Sequence, residues 1–412
     1  MISKNITALA DKVQPALSLR FAEIDSVAEK NTMRVMQAFQ RHRVSDACFA
    51  GTTGYGYDDM GREVLDKVYA DVFGAEAALV RIGFVNGTHA LVSAIFACLK
   101  PGDTLLSVTG LPYDTLRTSI GISGDEHGSL KFYGIEYAQV DLNEDSSADF
   151  PGIAAALADK SVSTVLIQRS RGYSKRRALT ISEIEEIIEF VKKQRPDVSV
   201  MVDNCYGEFV EDREPTMAGA DIIAGSLIKN PGGGIAPTGG YIAGRKELVD
   251  KAANRLTTPG IGGECGSTLG NNRLLFQGFF VAPHVVAQAL KTACFCAGML
   301  EALNYETSPS STEHRSDIIQ MIELKTADNL RKFCRGIQAG APVDSFVTPE
   351  PWQMPGYDCD VIMAAGAFVQ GSSIELSADG PMREPYIAFL QGGITYESGK
   401  IGVMMAISEM LS

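Results

Sequence analysis

Between Ala77 and Ala243 the chain alternates short apolar runs with helix-patterned stretches, and this alternation limits the fold more than any other feature. Ala77 to Val85, Thr104 to Val108, Val162 to Gln168, Val198 to Asp203, Asp221 to Ala224 and Gly239 to Ala243 read as strands. Gly87 to Leu99, with Leu91, Ala94, Ile95 and Cys98 at helical spacing, and the acidic stretch Ser182 to Gln194 read as helices between them. Strands this apolar are buried on both faces, so the pattern predicts an α/β fold with a mainly parallel sheet covered by helices. Ligands in such sheets gather at the carboxyl ends of the strands. The residues that close the apolar runs are therefore the candidates for chemistry.

The flanks read differently. Residues 1–60 read as an N-terminal arm, helical from about Ile24 to Arg43 and followed by the glycine- and tyrosine-rich run from Gly51 to Arg62. A long helical stretch from about Gly266 to Asn304 closes a large domain over 61–305. Ser308 to Ser316 is polar and turn-rich, the expected hinge, and 306–412 has the short strands and turns of a smaller α+β domain.

Composition excludes several classes of function. A formal charge of −13 repels polyanions, so neither nucleic acid nor an anionic membrane surface is an expected partner. No stretch of 18 or more uninterrupted apolar residues occurs, which predicts no membrane span. The eight cysteines are scattered without CxxC spacing and read as buried thiols of a reducing cytoplasm. Met1 to Gln14 lacks the continuous apolar core of a secretion signal. Five histidines spread from His42 to His314 give no metal-ligand cluster, so no metal is expected.

Three features carry chemistry. Val202-Asp203-Asn204-Cys205-Tyr206-Gly207 puts a carboxylate at the end of an apolar strand, where burial is costly unless a cation or proton donor meets it. A protonated pyridine nitrogen would serve; a strand-end aspartate that caps the next element is the plainer reading. Gly225-Ser226-Leu227-Ile228-Lys229-Asn230-Pro231 and the three glycines to Gly234 put a lysine beside a flexible segment after a strand. Schiff-base lysines need a desolvated setting that lowers the amine pKa, and glycines leave room for a flat cofactor. Taken alone, a surface lysine in a glycine turn fits as well. Ser226 and Lys229 also match the serine–lysine pair of penicillin-recognising enzymes, whose companion Ser-Asp-Asn and Lys-Thr-Gly elements are absent.

The third feature is Asn86-Gly87-Thr88-His89-Ala90, which opens a helix directly after a strand. Helix N-termini bind phosphate through free N–H groups; Gly87 permits close approach and Thr88 adds a hydroxyl, although an ordinary cap reads the same way. Tyr113, after the next strand, could stack on a ring. Phosphate loop, aromatic, aspartate, then a lysine 26 residues later is the layout of fold-type I enzymes that use pyridoxal 5′-phosphate.

Gly54-Tyr-Gly-Tyr-Asp-Asp59, Asn86 to Ala90, Val202 to Glu211, Gly225 to Gly234 and Gln391 to Lys400 together resemble one bacterial group. It is the methionine gamma-lyase or cystathionine beta-lyase related family, also called aluminium resistance proteins, and the similarity spans almost the whole chain. The resemblance implies a fold-type I, transferase-like subunit: a mainly parallel seven-stranded sheet sandwiched by helices, with a smaller C-terminal domain. It implies a homodimer or homotetramer with active sites shared between subunits. Carried over by position, Lys229 would be the Schiff-base lysine and proton shuttle, and Asp203 would keep the pyridine nitrogen protonated. Gly87, Thr88 and Ser226 would hold the phosphate, and Tyr113 would stack on the ring. Tyr57 resembles a tyrosine that reaches a neighbour's phosphate, but Asp59 stands where the wider family has an arginine, the nearest being Arg62.

Arg383, in Gly380-Pro-Met-Arg-Glu-Pro385, is the candidate for the substrate carboxylate, as a guanidinium binds one in two-pronged fashion. In the basic run Arg169, Arg171, Lys175, Arg176 and Arg177, Arg171 is the candidate to face the site and the rest read as rim or interface. Cys205 reads as a packing residue. The implied reaction is β- or γ-elimination from a sulfur-containing amino acid, with a thiol departing and a keto acid and ammonia released, and Tyr113 or Tyr57 supplying the acid. The alternatives are another pyridoxal phosphate reaction, such as transamination or β-decarboxylation, and a cofactor-binding stress-resistance protein with little catalysis.

Overall fold

The computed structural model describes residues 2–124, 127–354 and 359–412. The chain opens with helices α1 (Lys4–Ala16), α2 (Ser18–Arg41) and α3 (Met60–Phe73). It then runs through β1 (Ala77–Arg81), α4 (Gly87–Cys98), β2 (Thr104–Ser107), α5 (Asp114–Ile120), β3 (Glu136–Gln139), α6 (Phe150–Leu157) and β4 (Val162–Gln168). Next come α7 (Ile181–Gln194), β5 (Ser199–Asp203), β6 (Ile222–Ser226), β7 (Gly240–Gly244), α8 (Lys246–Leu256) and α9 (Asn272–Glu301). The rest is β8 (Glu306–Ser308), β9 (Gln320–Glu323), α10 (Ala327–Ala339), β10 (Val361–Ala364), β11 (Ser377–Pro381), β12 (Ile387–Gln391) and α11 (Tyr396–Met410).

Strands β1 to β7 form a seven-stranded sheet in the order β1-β7-β6-β5-β4-β2-β3. Connections that hold α5, α6 and α7 make β3, β2, β4 and β5 parallel neighbours, and β6 joins parallel to β5 after a loop that holds only a four-residue 3₁₀ turn, Pro215–Ala218. β7 runs antiparallel to both β6 and β1. The segment between β6 and β7 holds only a short 3₁₀ turn, Asn230–Gly232. The alternation of side chains along β5 decides the layering. Val200 and Val202 enter the core built with α2, α3, α7 and α9, and Met201 enters the opposite core with α4 and α8. β3 carries no apolar run, because it is a half-exposed edge strand with the sequence Glu-Tyr-Ala-Gln.

Strands β10-β11-β12-β9-β8 form a second, wholly antiparallel sheet. One face packs on α10 and α11 through Ala378, Leu390, Leu330 and Val403. Ile6, Ala10 and Leu17, from α1 and its end, join that same core, and α2 lies along α9. The other face presents Ile319, Met321, Ile387 and Phe389 to Tyr173 and Tyr206 of the large sheet's loops. The polar segment expected to act as a hinge is held at two points. Ser311 donates to Glu301 and the buried Arg315 to Gln320, while Thr312, Glu313 and His314 between them stay exposed. α9 is long and apolar enough to cross a membrane by length and composition, but it is largely buried between the two cores and is their shared core helix.

Candidate active site

The carboxyl edge of the large sheet faces the small sheet across a cleft of ≈ 170 Å³, and both Asp203 and Lys229 line it. Asp203 is the last residue of β5, buried, with its Oδ1 accepting the Cys205 backbone N–H at 3.1 Å. Burial pushes its carboxyl up, and the Lys229 ammonium is the largest influence pulling it back. Lys229 follows β6 in a turn held by the Gly232 N–H on its carbonyl at 3.2 Å. That turn docks on α9 where Gly278 has no side chain: a Cβ there would stand 2.4 Å from the Gly232 oxygen. Cys205 is buried beside Asp203, and burial pushes its thiol well up.

The Lys229 amine departs from the sequence expectation. Burial lowers it, but Cys205, Tyr206, Tyr113 and Asp203 around it carry it well above the ordinary amine range. Desolvation is outweighed because acidic groups crowd the amine on several sides.

The phosphate-loop residues meet the same edge. Asn86 caps α4 by accepting the His89 N–H at 2.8 Å, which leaves the first turn of the helix facing β6. A Cβ on Gly87 would lie 2.9 Å from the Ser226 Cβ, so glycine is what lets the two segments close together. Thr88 Oγ1 and the Tyr113 hydroxyl are 2.7 Å apart, and the Tyr113 N–H donates to Gln168 Oε1 at 3.0 Å. Burial, then Asp203, push the Tyr113 phenol up, so it holds its proton. Helix N-terminus, glycine cradle, hydroxyls, buried carboxyl and lysine fit pyridoxal phosphate: an anion at one end, a ring nitrogen at Asp203, and an aldehyde at Lys229.

Other candidates stand elsewhere. Tyr57 is exposed in the loop before α3, its ring stacked on that of Tyr55, and does not line the cleft. Asp59 is the N-cap of α3, accepting from the Arg62 N–H and the Thr268 hydroxyl. Burial works against that charge, but the bonds from Thr268, Thr52, Arg62 and Asn272 hold it below the usual range. Arg62 is buried and gives its guanidinium to the carbonyls of Gly56, Gly266 and Glu264. It braces a loop.

Arg383 lies outside the inner cleft, on the wall of a larger outer cleft of ≈ 650 Å³ shared with Tyr113, Gln168, Arg171 and Arg176. The rim reading of the basic run needs correction at Arg169, whereas Arg171, the candidate to face the site, lines the outer cleft. Arg169 is wholly buried against Asn204, Gly207 and Glu211, and Arg171 is buried against Ser308. Arg176 likewise reaches the carbonyls of Gln168 and Ser170, because strand-end loops leave carbonyls that need donors. Lys175 is the exposed member.

Among the lining residues to which the sequence reading gave no role are Tyr206, Gln168, Asp379 and Gln391. Gln168 and Gln391 close strands β4 and β12, so the strand-end rule could have found both. Tyr206 sits within the quoted Asp203 motif. Asp379 had no signal, since it reaches the cleft only through packing between the two sheets.

The family model described as methionine gamma-lyase matches residues 6–411. A Bacillus subtilis (strain 168) protein, YnbB, is 50% identical over 390 residues, covering 94% of this chain and 92% of its own length. The solved structure of a carbon–sulfur lyase involved in aluminium resistance from Clostridium novyi NT is 53% identical, with a TM-score of 0.95, covering 99% of this chain and 96% of that one. A pyridoxal-5′-phosphate dependent protein, YhfS from Escherichia coli, is similar in fold alone: 17% identity, TM-score 0.62, covering 92% of this chain and 95% of that one. With a match that runs almost from end to end and relatives at half identity, the chain belongs to the methionine gamma-lyase family.

Proposed function

We propose that this chain is a pyridoxal phosphate-dependent carbon–sulfur lyase that performs β- or γ-elimination on a sulfur-containing amino acid. The observation that carries the reading is the meeting of Lys229, Asp203 and Tyr113 in one cleft at the carboxyl edge of the sheet. The Clostridium novyi relative, a carbon–sulfur lyase, supports it. When bound, the cofactor supplies an electron-withdrawing ring that stores the charge left on Cα.

The protein's own groups do the rest. Gly87, Thr88 and Ser226 hold the phosphate end, and Asp203 keeps a proton on the ring nitrogen. The Lys229 amine takes the proton from Cα and carries it onward. Tyr113, whose phenol keeps its proton, hands one to the departing sulfur on this reading. The outer cleft, with Arg383 on its wall, admits the substrate and receives its carboxylate.

We also assign a homodimer or homotetramer, with Tyr57 of one subunit offered to its neighbour's site. Tyr55 and Leu269 beside it, 74% and 63% exposed, give that loop an apolar surface of the kind subunit contacts use.

The test is absorption spectroscopy of the purified protein with pyridoxal phosphate, followed by keto-acid detection with sulfur amino acids. A visible lysine-bound band, lost in Lys229→Ala, with pyruvate or 2-oxobutyrate released, is expected. No band in the wild type sinks the cofactor assignment; glutamate-dependent amino transfer in place of thiol release sinks the lyase.

A further inference from the structure

The wall of the inner cleft that belongs to the small sheet is acidic and, among the described residues, has no cation of its own. Asp379 in β11 and Gln391 in β12 stand on neighbouring antiparallel strands and both line the cleft with Lys229. Their strand neighbours Ala378 and Leu390 turn the other way into the small core. Asp379 is 6% exposed and Gln391 3%, and the Gln391 amide donates to Asp379 Oδ2 at 3.2 Å. Asp379 Oδ1 and Gln391 Oε1 are buried and meet no partner among the described residues. Two orphaned acceptors facing a cavity are costly unless a ligand brings donors to them.

Charge narrows the ligand. Among the described residues, the charged ones that line this cleft are Asp114, Asp203, Lys229 and Asp379. Asp114 pairs with Arg117 at 2.6 Å, and Asp203 and Lys229 are taken by the cofactor on the reading above. Asp379 is left over. Burial pushes its carboxyl up to about 7, against the pull of Tyr173 and Gln391, as for an acid without a cation.

We infer that Asp379 and Gln391 form a subsite for a second ammonium group, selecting substrates whose side chain ends in a cation over uncharged ones of the same length. This rests on the lyase reading for its substrate frame, but its evidence is the orphaned acceptor pair. An ammonium offers three donors and one positive charge, which answers both orphaned oxygens at once.

The test is calorimetric binding of L-lysine and L-2-aminoheptanoic acid to the full-length protein loaded with pyridoxal phosphate. The two share a chain length and differ in a terminal ammonium against a methyl, and neither carries a sulfur leaving group. The wild type is expected to bind lysine about tenfold or more tightly than the methyl analogue, as a buried charge-assisted pair would. Asp379→Asn, close in shape, should lose that preference and hold aminoheptanoate as before. Equal affinities in the wild type, or a lysine preference that survives in Asp379→Asn, overturn the subsite. Keto-acid release from S-(2-aminoethyl)-L-cysteine and S-propyl-L-cysteine separates the two readings. No release from either sinks the lyase, whereas release from both at equal kcat/KM sinks only the ammonium subsite.

Discussion

The Lys229 amine nitrogen lies 3.9 Å from the centroid of the Tyr206 ring. The backbone accepts a left-handed φ of +71° at Tyr206 to put the ring there, a conformation that costs a side-chain-bearing residue about 1 kcal/mol or more. A ring face under an ammonium contributes roughly 0.5–2 kcal/mol. Removing it in Tyr206→Leu should therefore lower kcat/KM for thiol release about threefold to thirtyfold. Tyr206→Phe keeps the face and should stay near wild type. Equal losses in both variants would assign the role to the hydroxyl instead.

The Gly87 position is fixed by space. Its Cα faces the Ser226 side chain so closely that a Cβ would come to 2.9 Å from the serine Cβ, an atom that cannot swing aside. Gly87→Ala should push α4 away from β6, costing about 1–3 kcal/mol as an overpacked contact does. The same displacement opens the cradle. Titration with pyridoxal phosphate should show affinity weakened about tenfold or more, on the scale of one lost charge-assisted contact. Unchanged cofactor affinity in a folded variant would remove the phosphate from this corner.

Arg62 is predicted to act on stability. Its guanidinium serves the carbonyls of Gly56, Gly266 and Glu264, and the fork geometry that reaches all three is beyond an ammonium. Arg62→Lys should lower unfolding free energy by about 2–4 kcal/mol, several hydrogen bonds' worth with a buried charge left poorly met. Chemical denaturation measures it. A variant of full stability with reduced cofactor affinity would show that Arg62 reaches a phosphate after all.

Much of this was legible because the large sheet is buried on both faces. Its strands announce themselves as apolar runs, and the residues that end them, Gln168, Asp203 and Ser226, stand at the working edge. What the sequence hid is explained by the same physics. β3 has a half-exposed edge position and no apolar signal. Arg169 reads as rim charge because the carbonyl and acid it satisfies come from distant segments, Gly207 and Glu211. Asp379 lies 150 residues beyond Lys229 and joins the cleft only when the two sheets pack through Phe389 and Tyr206. Tyr57 points to solvent in a single chain, so any role at a site belongs to an assembly.

Glu208 gives the chain a pH dependence with a definite sign. It is fully buried, its Oε1 accepts the Tyr241 hydroxyl at 2.8 Å, and its Oε2 meets no partner among the described residues. Burial is the main cause that pushes its carboxyl up to about 8, with Glu214 adding to it and Tyr241 and Lys229 opposing. In the unfolded chain a glutamate loses its proton near about 4.3. Between those two values the folded state binds the extra proton, so this group's contribution is complete at low pH and is lost as pH rises towards about 8. The slope is at most about 1.4 kcal/mol per pH unit for one group. Asp379, raised to about 7, acts in the same direction. Glu208→Gln stays neutral throughout and should flatten the fall in urea midpoint between about pH 5 and pH 8 without abolishing it, since Asp379 remains. It should equal or exceed wild type in stability at the alkaline end. Superimposable profiles for the two proteins would mean that Glu208 is ionised in the fold across this range, and that a counter-charge reaches its open oxygen.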